Sequence, residues 1–423
     1  MRRMKDSGIA WIGKIPEVWD VRRIGICYAE RNEKVSDRDY PPLSVTKFGV
    51  CPQLESAAKT DNGDNRKKVC CGDFVINGRS DRKGSCGISN FDGSVSLINI
   101  VIFPRDGINN NYFSFVFKSN MFSDEFYKWG NGIVDDLWST KWQNMKKIFV
   151  PFPSYPEQHR IASYLDNKCA EIDRSMELVR QSMDKLKAYK MSVITEAVTK
   201  GFDPDVPMKD SGVPWIGEIP EGWDAVRLKH ICSKITDGSH FSPETTSDGY
   251  PYITAKDVTQ RGLDYASTLK ISEKAFMELA KSGCMPEKGD VLLVKDGATT
   301  GRVGLMVDST PCVVLSSVAM LHPQKNILSI FLMYLIQSNI LQEQILLSMA
   351  GSAIPRVTIA KLVNYWGTLP PIQEQHSIAV YLDTKCAEID AIIAKKQELL
   401  DKLAAYKKSL IFECVTGKWE VAA

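Results

Sequence analysis

The residues that could do chemistry fall in a few short stretches. Gly297-Ala298-Thr299-Thr300-Gly301-Arg302 has the glycines of a phosphate cradle, but no Lys-Ser or Lys-Thr follows. Methyl transfer to adenine needs an Asn or Asp before Pro-Pro and an aromatic residue, to hold a flipped base. No such tetrapeptide occurs, and no glycine-rich loop suits S-adenosylmethionine. The histidines are His159, His230, His240, His322 and His376, and they show no metal-ligand spacing. His159 and His376 fall near expected helix starts, where a structural role is expected. Asp290 with Lys295 and Asp296 is the nearest approach to a nuclease set, and it reads better as turn and strand. We therefore expect no catalytic residue, no bound cofactor and no metal ligand in this chain.

Binding chemistry is better represented. Arg66-Lys67-Lys68 and Arg79, Arg82 and Lys83 flank the stretch Gly72-Asp73-Phe74-Val75-Ile76. Asn62, Asn65, Asn77 and Ser80 are interleaved with them. Arg and Lys neutralise phosphates, and Arg, Asn, Gln or Lys can read purine edges in the major groove. The corresponding stretches of the second half carry Ser239, His240, Lys256, Lys295, Thr299, Thr300 and Arg302. Arg356 follows Gly351-Ser352-Ala353-Ile354-Pro355. Each residue alone reads as a solvated loop; as a group, they are predicted to contact DNA.

Elements that would position these loops come in two copies. Lys5-Asp6-Ser7-Gly8 through Arg23 returns as Lys209-Asp210-Ser211-Gly212 through Arg227, an offset of 204. Glu157-Gln158-His159 through Asp173 returns as Glu374-Gln375-His376 through Asp390, an offset of 217. Between them the halves hardly agree. One weak match sits at the larger offset: Gly72-Asp73 with Gly84 and Gly87 against Gly289-Asp290 with Gly301 and Gly304. The 13 additional residues of the second copy therefore enter before position 289. An internal repeat of this kind decides how the whole fold is read. Each insert is predicted to hold β-structure (94–103 and 312–321), one helix (111–126 and 328–348) and a closing proline-punctuated strand (148–153 and 366–371).

Residues 157–200 contain neither Gly nor Pro. Leu165, Cys169, Ile172, Met176, Val179, Met183, Leu186, Val193 and Ala197 form a heptad seam, interrupted by Lys190. The second copy gives Leu382, Cys386, Ile389, Ile393, Leu400, Leu403, Leu410 and Cys414, interrupted by Lys396 and Lys407. Such seams mark coiled coils. About 33 residues at 1.5 Å each predict a rod of roughly 50 Å. The fold class is α+β: two mixed α/β domains joined by two long helices in an antiparallel coiled coil, with a pseudo-two-fold repeat. The expected segments are 1–155 and 204–372 for the domains, and 156–203 and 373–423 for the helices.

Bulk properties agree with this. The chain has 423 residues, 44% hydrophobic and 25% charged, which is too long for one ordinary core. Its net charge of +2 neither demands nor excludes nucleic acid. Eleven cysteines without CxxC spacing suggest reduced thiols. No signal-peptide core follows Met1, and the run 327–336 is too short to span a bilayer. A soluble cytoplasmic protein with no membrane partner is expected. Two rivals stand beside a DNA reader: a protein-binding scaffold, and a self-sufficient methyltransferase or nuclease.

The repeated Gly-x-x-Trp-Ile-Gly-x-Ile-Pro-Glu-x-Trp (8–19 and 212–223) and the Glu-Gln-His-x-Ile-Ala-x-Tyr-Leu-Asp helix starts resemble the specificity subunits of type I restriction–modification enzymes. The resemblance covers essentially the whole chain. The first copy departs in having Phe152-Pro153-Ser154-Tyr155-Pro156 where the second has Leu369-Pro370-Pro371. The resemblance implies that each insert is a target recognition domain reading half of a split DNA sequence. It implies that the paired helices set the spacing and dock two methyltransferase subunits. Motor and endonuclease subunits would join them. S-adenosylmethionine, ATP and Mg would belong to those partners, and this chain would catalyse nothing.

Overall fold

The computed structural model describes residues 2–55, 63–131, 138–260, 262–349 and 356–422. It forms two compact units, Met1–Val179 with Gln397–Ala423, and Arg180–Lys396. Both cuts fall inside a long helix, at positions related by the offset of 217.

In the first unit the two ends of the insert are stitched together. The opening segment makes a small hairpin, Met4–Asp6 with Lys14–Pro16. Asp20–Arg23 then pairs antiparallel with the closing strand Phe149–Phe152. This delivers the helix Tyr155–Lys200 beside the opening segment. Trp19 Nε1 donates to Glu157 Oε2 at 2.9 Å, and both residues are buried. Gln158, fully buried, donates to the Pro153 carbonyl and accepts from Asn109 N–H. His159, in contrast, is exposed, as is its counterpart His376, so the structural role expected of them is carried by their neighbours in the motif.

Inside this frame lies an antiparallel sheet in the order Cys86–Ile88, Phe74–Asn77, Asn99–Pro104, Tyr28–Glu30. The helix expected over 111–126 is two, Asn110–Lys118 and Asn120–Lys128. Ser119 separates them in an extended conformation; its hydroxyl donates to the Val116 carbonyl and accepts from Phe122 N–H. Serine competes in this way with the helical ladder and caps the next helix. The β-stretch 94–103 likewise splits into Gly93–Val95 and Asn99–Pro104, in different sheets, around a turn closed by Asn99 on Ser96. The core is aromatic: Tyr28, Phe74, Tyr112, Phe113, Phe117, Phe122 and Phe126 are buried with the helix residues Leu165 and Ile172.

The second unit repeats the frame. Asp224–Arg227 pairs with Trp366–Leu369, and Trp223 Nε1 donates to Glu374 Oε2 at 2.6 Å. Gln375 donates to the Pro370 carbonyl and accepts from Leu328 N–H. Its sheet has the same order, Val303–Leu305, Val291–Val294, Val318–Pro323, Cys232–Asp237. Again one expected helix is two, Ser329–Gln337 and Asn339–Ser348, broken at Ser338. Here the core is mostly aliphatic, with Val291, Leu293, Leu332, Leu335, Ile336, Leu341 and Ile345. What differs is the decoration: the second sheet has four strands, Thr245–Thr246, Leu269–Ile271, Tyr250–Ile253, Val313–Val314, where that of the first unit has three, Gly93–Val95, Arg66–Val69, Lys34–Val35, and the helix Glu273–Lys281 is added. Among the described residues no single helix is long and apolar enough to cross a membrane. The bent pair Ser329–Gln337 and Asn339–Ser348 passes by composition, yet most of its apolar residues are buried in this core.

The long helices run Tyr155–Lys200 and Ile372–Val415, 46 and 44 residues. At 1.5 Å per residue each is roughly 65–70 Å long, longer than the rod expected from the seam. They pack antiparallel within each unit. In the first, Leu165 and Ile172 share a core with Leu410 and Cys414, and Asp173 accepts from Lys407 Nζ at 2.7 Å. In the second, Val193 and Ala197 share a core with Leu382 and Cys386, and Asp390 accepts from Lys190 Nζ at 2.7 Å. Val179, Leu186 and Leu403 are half-buried and Ile389 is buried. Two of the three lysines that interrupt the heptad pattern, Lys190 and Lys407, are therefore partners of the aspartates ending each Glu-Gln-His repeat. The far end of each helix is also tied in. Tyr112 Oη donates to the Val415 carbonyl in the first unit, and Thr368 Oγ1 to the Val198 carbonyl in the second.

The ion pairs give a test. Lys190→Asp or Asp390→Lys alone should lower the denaturation midpoint of the purified chain. The double exchange should restore most of the loss, since the pair is half-buried and each reversal alone sets like charges together.

Candidate nucleic-acid interface

Both units present a loop between two strands at the edge of the four-stranded sheet. In the first it spans 78–85, between Phe74–Asn77 and Cys86–Ile88. Asn77 Oδ1 accepts from Arg79 N–H and shapes the loop entry. Arg79 makes a two-pronged contact with Asp81 at 2.8 and 2.9 Å. Arg82 projects into solvent, only loosely near Asp81 at 3.9 Å, and Lys83 is paired with Asp124. A bridge from Arg79 to Ser139 backs the loop.

The loop of the second unit spans 295–302, and the offset of 217 carries every position across. Asp296 bridges to Arg356 where Arg79 bridges to Ser139. Thr299 and Thr300 stand where Arg82 and Lys83 do, both half-buried, with Thr300 Oγ1 donating to the Gly297 carbonyl. Arg302 Nη1 donates to the Val258 carbonyl. Arg356 is exposed beside Asp296 at 3.4 Å. The preceding 351–355 stretch lies outside the described residues, as does Asn62.

The structure moves several predicted residues away from the surface. Arg66 and Lys67 do not form a solvated basic run. Arg66 is buried and donates to Ser94, and burial lowers its pKa. Lys67 is buried on Glu30 at 3.1 Å and the Asn99 carbonyl. Arg66–Val69 is the central strand of its sheet, and the adjacent Arg66 and Lys67 point to opposite faces, each covered there by its own partners. Lys68 reaches Glu33 at 3.1 Å. Lys295 is 1% exposed, held by Asp296 at 2.8 Å and Asp237 at 3.3 Å. Ser239 is buried in a turn, accepting from Phe241 N–H. Its neighbour His240 is exposed, near Asp237 at 3.4 Å. Lys256 is exposed, apart from these loops in sequence, with a long 3.5 Å contact to the Ser267 carbonyl.

One shared part went unseen in the sequence. In the first unit Leu43–Thr46 and Gly49–Pro52 form a hairpin with Lys47-Phe48 at its tip. In the second, Val258–Thr259 and Gly262–Leu263 form another, with Gln260 at the tip. Thr46 Oγ1 donates to the Gly49 carbonyl at 3.0 Å, and Thr259 Oγ1 to the Gly262 carbonyl at 3.1 Å. The glycines have φ of +124° and +127°, a region closed to most side chains. Each hairpin lies against the edge strand. A Cβ on Gly87 would fall 2.9 Å from Gly49 Cα, and one on Gly304 would fall 2.8 Å from the Gly262 carbonyl oxygen. The signal was there: Val-Thr-x-x-Gly-Val at 45–50 and Val-Thr-x-x-Gly-Leu at 258–263, at an offset of 213 that matches neither longer repeat. In the second unit the tip, Arg302, Lys187 and Lys190 line a cleft of about 380 Å³.

Lys295→Met should remove the buried cation between Asp237 and Asp296, leaving only the exposed His240 and Arg356 near them. A loss of about 3–5 kcal/mol in the second unit is expected, the usual result of breaking a buried pair from one side. Chemical denaturation checks it, with proteolysis localising the loss to the second unit.

Residues 220–402 match the family model described as the type I restriction modification DNA specificity domain. The EcoBI specificity subunit of Escherichia coli is 25% identical over 65% of this chain and 59% of its own length. The MjaVIII specificity subunit of Methanocaldococcus jannaschii is 24% identical over 65% of this chain and 64% of its own. The chain thus spans about three fifths of the length of these two relatives. A putative MjaX specificity subunit from the same organism is 20% identical over 97% of this chain and 96% of its own. The fold is similar to a chain in a structure describing complex assembly and conformational transition of the type I R-M system, with TM-score 0.71, 15% identity, and 96% and 99% of the two chains covered. The HsdS subunit of Thermoanaerobacter tengcongensis gives TM-score 0.50, 17% identity, and 96% and 98% coverage. The duplicated frame, the domain match over 220–402 and these relatives together make the chain similar to the specificity subunits of type I restriction–modification systems.

Proposed function

We propose that this chain is the DNA-reading subunit of a type I restriction–modification complex, each unit reading one half of a split, asymmetric target. The observation that carries the reading is the pair of edge loops. They share a backbone frame, yet present Arg79, Arg82 and Lys83 in one unit and Asp296, Thr299 and Thr300 in the other. One frame with two surfaces suits two different half-sequences, whereas identical surfaces would favour a palindrome.

The segments 1–155 and 204–372 serve as target recognition domains, and the long helices set the spacer. The helices also dock two methyltransferase subunits. Tyr406 and Leu178 in the first unit, and Tyr189 and Ile392 in the second, leave apolar helix surface exposed for this. The complex works in the cytoplasm, where motor and endonuclease subunits join it. S-adenosylmethionine, ATP and Mg act on the partners, and this chain contributes recognition without catalysis.

Affinity follows from charge. Log affinity falls with log salt in proportion to the phosphates neutralised. A net charge of +2, with Arg79 and Lys83 already facing aspartates, supports weak binding by the subunit alone. The isolated chain should be released from duplex DNA by physiological salt, and the methyltransferase complex retained. Nanomolar specific binding by the chain alone would contradict this.

The deciding experiment is a genome-wide map of methylated adenine with the methyltransferase partner, with and without this chain. A split motif appearing only with the chain is expected. A stable complex that writes no new motif would favour a protein-binding scaffold. Inserting seven residues between Lys185 and Thr195 should lengthen the spacer or abolish methylation, and leave both half-sequences unchanged.

A further inference from the structure

The hairpins carry an inference of their own. Their geometry is held by the threonine and the glycine, so folding places no demand on the two residues at the tip. Lys47 and Phe48 both keep negative φ, and Phe48 N–H donates to Thr46 Oγ1. Yet Phe48 is 99% exposed, more than any other large apolar side chain among the described residues. Leaving a phenylalanine in water forgoes the free energy of burying its ring. The turn does not need it there, since a polar residue with negative φ would serve as well. Its neighbour Lys47 is exposed as well.

We propose that this Thr-x-x-Gly hairpin is the base-reading element of each unit, and that its tip residues choose the bases: Lys47 and Phe48 in the first, Gln260 in the second. The proposal rests on the DNA-reading function above. A two-stranded ribbon fits the major groove of B-DNA. Lysine can donate to guanine O6 and N7, phenylalanine can meet the thymine methyl, and glutamine can pair with adenine N6 and N7. DNA is the occupant because cations outnumber anions around the second tip and Arg82 projects into solvent near the first, although Lys83 faces Asp124 and Lys190 faces Asp390. Arg82 and Lys83 lie on the loop entering the edge strand that the first hairpin covers. Arg302, Lys187 and Lys190 line the cleft at the second. The glycines Gly87 and Gly304 let each hairpin lie on that edge without a side chain between them.

The test uses the full chain with its methyltransferase partner, reading adenine methylation across a genome and by rate on a duplex carrying the wild-type motif. Phe48→Ala and the exchange Lys47→Gln with Phe48→Arg should alter or relax one half-sequence and leave the other. Gln260→Ala should do the converse. Methylation of the original target should fall roughly 5- to 150-fold, the range one base contact is worth. If the wild type writes a split motif and the variants write the same motif at the same rate, the hairpins are not the readers, and the DNA-reading function stands. If the wild type writes no split motif, that function falls and this proposal with it. If a variant separates from the methyltransferase on gel filtration, the hairpin is a protein dock and the proposal is overturned.

Discussion

An indole N–H donating to a carboxylate in the first turn of a long helix is the contact on which the rest depends. It occurs twice, from Trp19 to Glu157 and from Trp223 to Glu374. A hydrogen bond to a charged group contributes about 1.5–3 kcal/mol, more reliably where water is excluded. The carboxylate at a helix N-terminus is further favoured by the helix dipole. Its consequence is topological. An insert of more than a hundred residues must leave and return at one place, and this bond, with the paired opening and closing strands, defines that place. Everything between can change while the ends stay fixed.

The inserts illustrate that freedom. Their sheets have one strand order and one register, with Gly87 opposite Val75 and Gly304 opposite Leu292. Yet one core is filled by phenylalanine and tyrosine and the other by leucine, isoleucine and valine. Cores tolerate wholesale exchange of apolar side chains if volume and patterning are kept. The likeness therefore survives in backbone hydrogen bonds and glycines, and fades from side-chain identity. The second unit has a four-stranded second sheet where the first has three strands, and adds a helix, without disturbing the order of the shared sheet.

Charge placement follows a related logic. Asp81, Asp124, Asp237 and Asp296 each face a nearby cation in or beside the loops. The exposed pairs among these are weak and salt-screened, whereas Lys295 is buried. All of them lower the field that the chain presents to a polyanion.

The sequence by itself determined the duplication, the long helices and their seam, and the resemblance to type I specificity subunits. Heptad spacing and motif identity are local properties that survive without knowledge of the fold. It also located the strand behind Gly72-Asp73 and the one behind Gly289-Asp290. Three things were decided only by tertiary structure. Arg66, Lys67 and Lys295 are interior, because Ser94, Glu30 and Asp237, all distant in sequence, meet them there. Lys190 and Lys407 are partners across the helix pair, which a single-helix pattern shows only as interruptions. And the hairpins are equivalent, because a six-residue likeness at its own offset acquires meaning only when Gly87 and Gly304 are seen to receive them.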